Sequence, residues 1–149
     1  MITLPNPDEW IERIDAEVSA FARVGGSLEA AADFGGATLD LPAAYVTLTD
    51  ETPGENEIDR GVSQQVNSTA TVWIVLHNHP DPENPDSQPA GDTLLRTLRA
   101  SLFDALLSWS PEGCDIVEYA GGSRVSAVDA GLLVWREDFT TTYLLRKIA

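Results

Sequence analysis

The chain has 149 residues, of which 43% are hydrophobic and 22% charged, a composition typical of globular proteins and outside the disordered class. A chain of this length buries a substantial core, so we expect a single domain over residues 1–149. The 24 acidic and 9 basic residues give a formal net charge of -15. This charge repels phosphate at long range and argues against direct nucleic-acid binding. A requirement for solubility alone would also explain the excess of acidic residues.

The sequence carries no sign of a targeting segment or a redox centre. Its N-terminus lacks a basic stretch followed by an apolar run, and no segment approaches ~18 consecutive apolar residues. We therefore expect no membrane partner and a protein made and kept in a cytoplasm. Cys114 is the single cysteine, which excludes an intrachain disulfide and a cysteine-based metal cluster and favours a buried, inert thiol.

The first third of the chain predicts a helix followed by a short strand. Apolar residues recur at spacings of three and four from Asp8 to Val24, which indicates an amphipathic helix ended by Gly25-Gly26. Alternation from Tyr45 to Thr49 predicts a strand, and the acidic, proline-containing segment from Asp50 to Glu57 is predicted to be a loop.

The middle of the chain predicts a long strand, a loop and the best-defined helix. Val62 to Leu76 alternates apolar and polar residues and then becomes apolar on both faces. His79 to Ala90 has four prolines and three acids and is predicted to be an exposed loop. Asp92 caps a second helix that Pro111 stops. Its buried face is predicted to contain Leu95, Leu98, Leu102, Leu106 and Trp109.

The last third predicts strands without a helix between them. Ile116 to Tyr119 is the first, with a turn or bulge at Gly121-Gly122, and Leu132 to Arg146 is the last. In the last strand the odd-numbered apolar residues are expected to face the second helix; they include Trp135, Phe139 and Tyr143. The whole pattern favours an α+β domain, a mostly antiparallel sheet with two main helices packed on one face.

The sequence contains no recognisable catalytic motif. His77 and His79 project from one face of a strand, but two ligands do not make a metal site, and histidines at a strand end are more often polar edge residues. No activated serine or cysteine motif and no phosphate-binding loop is present. We therefore predict no catalytic residues, no metal and no cofactor.

One strand face carries a row of uncharged polar side chains. In an acidic protein such a strip is a candidate subunit interface, although a solvated β face is the simpler alternative. The strip consists of Ser63, Gln65, Asn67, Thr69 and Thr71.

Several segments resemble phage tail terminator proteins of the Mu-like tail group, which are related in role to the lambda tail terminator. The likeness extends over roughly Tyr45 to Arg146, more than half of the chain. The segments that carry it are Gln65-Val66, Ala90–Arg99, Trp109–Pro111, Glu118–Gly122, Val125–Trp135, Phe139 and Tyr143–Arg146.

The resemblance implies a structural virion protein and no catalytic residues. It implies a homohexameric ring in the neck region of the virion that caps the head-proximal end of the tail tube, ends its polymerisation and joins a neck or head-completion protein. The ring would be assembled in the host cytoplasm, and DNA would pass through it without specific binding. The acidic residues of the two predicted loops are candidate partner contacts or lumen residues: Asp50, Glu51, Glu55, Glu57, Asp59, Asp81, Glu83 and Asp86.

Three alternatives remain open at this stage. Another neck, head-closure or tail-completion protein would share the acidic character and the ring symmetry. An acidic DNA mimic would inhibit a nucleic-acid enzyme by competing with DNA. A metal-dependent hydrolase would rest on His77 and His79 alone.

Overall fold

The computed structural model describes residues 2–27, 29–30, 33, 40–78, 90–125 and 131–149. Within these residues no helix is both long and apolar enough to cross a membrane. The helices are α1 (Pro7–Glu17) and α2 (Ala90–Leu106). The strands are β1 (Arg23–Gly25), β2 (Ala43–Pro53), β3 (Gly61–His77), β4 (Glu118–Val125) and β5 (Leu132–Ile148).

The strands form one sheet in the order β1-β2-β3-β5-β4. β1 runs parallel to β2, and every other neighbouring pair is antiparallel, so the predicted α+β class with a mostly antiparallel sheet is confirmed. β3 and β5 pair along their full lengths, from Gly61 opposite Ile148 to His77 opposite Leu132. This long pair forms the centre of the sheet, with β2 beside β3 and β4 beside β5.

The buried side chains of both helices share one hydrophobic cluster with alternate residues of the central strands. Trp10 and Ile14 of α1 belong to it, as do Val72 and Ile74 of β3 and Phe139 of β5. On α2, the four predicted leucines are buried, and Trp109 packs half-buried against the cluster. The periodicity of this helix is therefore confirmed, although it ends at Leu106 and Ser108 then adopts a left-handed φ of 67° before Pro111.

The first helix is shorter than its apolar spacing predicts. Asn6 caps it by accepting a hydrogen bond from the Asp8 amide at 3.0 Å, and the helix ends at Glu17 rather than Val24. Val18 and Phe21 are nevertheless buried in the main cluster, so the apolar spacing continues past the helix end. The segment predicted to be the end of this helix is strand β1, which pairs with the start of β2.

The first acidic loop is also shorter than predicted. β2 extends to Pro53, so Asp50 and Glu51 lie in a strand, opposite Thr69 and Ser68. A bulge between Leu48 and Asp50 shifts the register, which interrupts the simple alternation. Glu55, Glu57 and Asp59 do lie in the connection between β2 and β3. Three further predicted loop acids, Asp81, Glu83 and Asp86, lie outside the described residues.

The glycine pair of the fourth strand is a bulge rather than a turn. β4 is continuous through Gly121 and Gly122, and its register against β5 shifts between Tyr119 and Gly121. The strand begins at Glu118, two residues later than predicted. Because β4 continues to Val125, the sheet gains a full fifth strand on this side.

Candidate assembly surface

The predicted neutral strip lies on the sheet face opposite the main cluster, because its residues alternate with Ala70 and Val72, which belong to that cluster. Its exposure is uneven. Gln65 and Asn67 are exposed and Thr69 is half-buried. The two ends of the strip, Ser63 and Thr71, are buried, so the candidate interface is accessible only in its middle.

Hydrogen bonds explain why the end of the strip at Thr71 is unavailable. The Thr71 hydroxyl donates to Asp138 Oδ1 at 2.6 Å and lies 2.9 Å from the Thr49 hydroxyl. The Arg136 guanidinium donates to the same Asp138 oxygen at 3.0 Å. This end of the strip is therefore used within the subunit, and the accessible part is its middle.

The register extends the accessible part onto both neighbouring strands. Asn67 lies opposite Thr142 on β5 and Thr52 on β2, and Thr69 lies opposite Thr140. We call the resulting surface the neutral patch. It consists of Thr52, Gln65, Asn67, Thr69, Thr140, Thr142 and Leu144. Its own side chains carry no charge, but carboxylates border it, since Asp50 lies opposite Thr69 and Glu118 lies opposite Thr140.

An open groove of about 650 Å³ borders the neutral patch. Asn67, Thr140 and Thr142 line its sheet side, and the segment from Ser110 to Glu118 forms the other side. Ile116 is 49% exposed within the groove. The Cys114 thiol is half-buried, and its pKa is raised mainly by burial and further by the nearby carboxylates of Glu9 and Asp115. Hydroxyls, an amide, carboxylates and one apolar side chain suit contact with another polypeptide.

A buried carboxylate on β5 is the main feature that was not predicted from the sequence. Glu137 is completely buried. The Arg99 guanidinium donates to it at 2.7 and 3.3 Å, and the Tyr119 hydroxyl and the Trp135 indole N–H each donate at 2.9 Å. The signal was present in the alternation of β5, because Glu137 shares the odd-numbered phase of Trp135 and Phe139.

Two further contacts fix the geometry of this buried cluster. The Arg99 guanidinium stacks 4.5 Å from the Trp135 ring centre. A Cβ at Gly122 would lie 2.3 Å from Glu137 Oε1, so a residue without a side chain is needed for β4 to approach β5 here. The cluster therefore joins α2, β4 and β5, and β5 is one of the three strands that carry the neutral patch.

All three tyrosines of the chain donate a hydrogen bond to a carboxylate. Tyr45 donates to Asp33, Tyr119 to Glu137 and Tyr143 to Glu51, at 2.7, 2.9 and 3.0 Å. Burial is the largest cause that raises the pKa of each phenol above its ordinary value of 10.0, and the neighbouring carboxylate adds to it. The folded state therefore retains these protons at a pH where the unfolded chain has lost them.

We expect this difference to appear in an alkaline titration followed by phenolate absorbance. The native protein should show less ionised tyrosine near pH 10 than the unfolded chain, in which a free phenol is about half ionised. Since the folded state binds more protons, its stability should fall as the pH rises above 10. A titration with a pKa of about 10 in the native protein would contradict the three hydrogen bonds, and the urea-unfolded protein supplies the reference curve.

Only one of the two histidines lies within the described residues. His77 is exposed at the end of β3, and His79 lies outside the described residues. Among the residues whose positions are described, no group of three or more histidine, cysteine, aspartate or glutamate side chains is arranged to hold a metal ion.

Comparison with known proteins identifies the family. A solved structure described as the virion of a native gene transfer agent particle contains a similar chain, with a TM-score of 0.51 over 90% of both chains and 11% identity, which concerns the fold alone. The comparison with curated protein sequences gave no match. The family model for phage tail terminator proteins matches residues 2–149. Since this match spans nearly the whole sequence, the chain belongs to the phage tail terminator family and is a structural protein of the phage tail rather than an enzyme.

Proposed function

We propose that this protein, acting as one domain over residues 1–149, forms a homohexameric ring on the head-proximal end of the tail tube and ends tube polymerisation. The match to the family over residues 2–149 is the observation that carries the proposal. In this proposal the ring is assembled in the host cytoplasm. It occupies the neck region of the virion, with the tail tube protein on one side and a neck or head-completion protein on the other.

The neutral patch is a candidate for contacts between subunits of the ring, because its uncharged side chains lose less solvation free energy on burial than carboxylates do. Placing a carboxylate in an interface requires its desolvation and leaves it beside other negative charges. Hydroxyl and amide groups can exchange hydrogen bonds with water for hydrogen bonds with a neighbouring subunit at a much lower cost. In a chain with 24 acidic residues, the uncharged side chains of the neutral patch thus cost less to bury than Asp50 and Glu118 at its borders.

Acidic residues outside the patch suit the passage of DNA. Glu55, Glu57 and Asp59 are exposed in the connection between β2 and β3. If this connection faces the lumen, its carboxylates repel the DNA phosphates and prevent adhesion to the wall. We propose that DNA crosses the ring without specific contacts.

The test is electron microscopy of tails assembled with and without this protein. We expect tubes of uniform length with a ring at one end when it is present, and tubes of uncontrolled length when it is absent. Tubes of normal length in its absence would contradict the proposal. Binding to filled capsids instead of tube ends would indicate a head-closure protein.

A further inference from the structure

The sheet face that carries the neutral patch also carries a small hydrophobic cluster. Trp73 and Val75 belong to it, and along β3 they alternate with Val72 and Ile74 of the main cluster. Within the described residues, neither α1 nor α2 contributes a side chain to the small cluster. Its other members are Ala30, Leu41, Ala43, Tyr45, Leu132 and Val134.

An open groove of about 270 Å³ lies on this cluster. It is lined by Ser27, Ala30, Tyr45, Thr47, Trp73, Val75 and Val134, and none of these side chains is charged. Trp73 and Val134 are only half-buried, so apolar surface is accessible in the groove. We call it the apolar groove. Since an apolar cavity of about 150 Å³ accommodates benzene, the apolar groove is large enough for two aliphatic side chains.

An exposed apolar segment precedes α1. Ile2 is 45% exposed and Leu4 is 60% exposed. Leu4 precedes Pro5, a position that favours extended backbone, and side chains two residues apart in an extended segment project to the same side. No residue from 2 to 7 has a charged side chain. We call Ile2–Pro5 the arm.

The arm does not occupy the apolar groove of its own subunit. Ser27 and Thr47, which line the apolar groove, also lie beside Pro7 at the start of α1, so the arm begins near the groove. Its two aliphatic side chains nevertheless remain exposed. A single exposed aliphatic residue is ordinary on a protein surface. Here, one subunit leaves open both an apolar segment and an apolar groove of sufficient size to hold it.

Charge makes the arm and the apolar groove well suited to meet each other in an assembly of identical subunits. Each chain has a formal net charge of -15, so most contacts between copies bring like charges together. Neither the arm nor the lining of the apolar groove carries a charged side chain. Their contact therefore removes apolar surface from water without the desolvation of a carboxylate.

We propose that the arm of one subunit binds the apolar groove of the next, with Ile2 and Leu4 buried against Trp73 and Val134. The inference rests on the proposed ring. A cyclic ring uses two different surfaces of each subunit, one for each neighbour, and the arm and the apolar groove are two such surfaces. A stable interface usually contains about 20–30 residues a side, so the arm supplements the neutral patch, which lies on the same sheet face as the apolar groove.

Polar substitutions in the arm test the contact. Ile2→Ser with Leu4→Ser should leave the urea midpoint of the subunit unchanged, because both side chains are exposed. Self-association should weaken by roughly tenfold or more, because two aliphatic side chains no longer gain from burial. Light scattering gives the mass in solution, and electron micrographs give the fraction of purified tube ends that carry a ring. The control is Leu94→Ser, at a 37% exposed position on α2, which should assemble as the parent does.

Cross-linking identifies the occupant of the apolar groove. Leu4→Cys with Val134→Cys, in a chain whose native thiol is removed by Cys114→Ser, should yield covalent dimers and larger species when a short bifunctional thiol reagent is added to assembled rings. Circular dichroism verifies the fold, and a denaturing gel separates the products. An internally linked monomer would place the arm in its own subunit, and rings without a cross-link would place it elsewhere; either result overturns the proposed contact. Leu4→Cys with Leu94→Cys is the matched control and should give no linked species.

The outcomes separate this contact from the proposed function. Parent-like self-association of the serine variant would overturn the contact while leaving the proposed function intact. A serine variant that forms rings in solution as the parent does, but no longer binds tube ends, would assign the arm to the tail tube protein and also overturn the contact. A parent protein that forms rings neither in solution nor on tube ends would overturn the proposed function and this contact together.

Discussion

Replacing Arg99 by alanine should destabilise the subunit by about 3–5 kcal/mol, since it leaves the charge of Glu137 buried without its ionic partner. Glu137 is completely buried, and only the neutral donors of Tyr119 and Trp135 would remain around it. The variant also loses the stacking of the guanidinium on the Trp135 ring. Urea denaturation, followed by far-ultraviolet circular dichroism, measures the free energy of unfolding.

The chain provides a matched control for this prediction. Arg124 pairs with Asp92 at 2.7 Å, a distance equal to the shortest Arg99–Glu137 contact, but the two side chains are 53% and 64% exposed. An exposed pair contributes about 0–1 kcal/mol, so Arg124→Ala should be nearly neutral. Equal losses in the two variants would show that burial of Glu137 does not govern the energetics of the cluster.

Replacing Leu102 by alanine should cost about 2–5 kcal/mol, through lost burial and the cavity that remains. Leu102 is 0% exposed on the inner face of α2, within the cluster that also contains Phe139 and Ile74. Leu94, on the same helix, is 37% exposed and supplies the control. Leu94→Ala should change the free energy of unfolding by less than about 0.5 kcal/mol. A Leu102 variant as stable as the parent would show that α2 does not cover the core.

Elements governed by local periodicity were predictable from the sequence. The leucines of α2 repeat with the helical period, and β3 and β5 alternate over many residues, so their type and their buried faces follow from the pattern alone. The errors concern pairing between distant segments. Arg23–Gly25 is a strand because it lies beside Ala43–Tyr45, and Asp50 and Glu51 are in a strand because β3 pairs with them. Neither partner is visible in the local sequence.

The candidate surface was predictable only in part. Alternation placed Asn67 and Thr69 on one face of β3, and the structure agrees. The burial of Thr71 depends on Asp138, a residue far away in the sequence that becomes its neighbour only through the register of β3 and β5. Register, unlike periodicity, is a tertiary property.

The pairing of β3 with β5 also governs when the subunit can fold. Gly61 meets Ile148, so the centre of the sheet joins two segments that lie far apart in the sequence. Until β5 has been synthesised and has left the ribosome, one edge of β3 has no partner, and the buried residues of its second half lack the β5 side of their core. Contacts between segments so far apart in sequence slow folding, because the intervening loop must close before they form. Folding of the sheet should therefore follow the emergence of β5 from the ribosome.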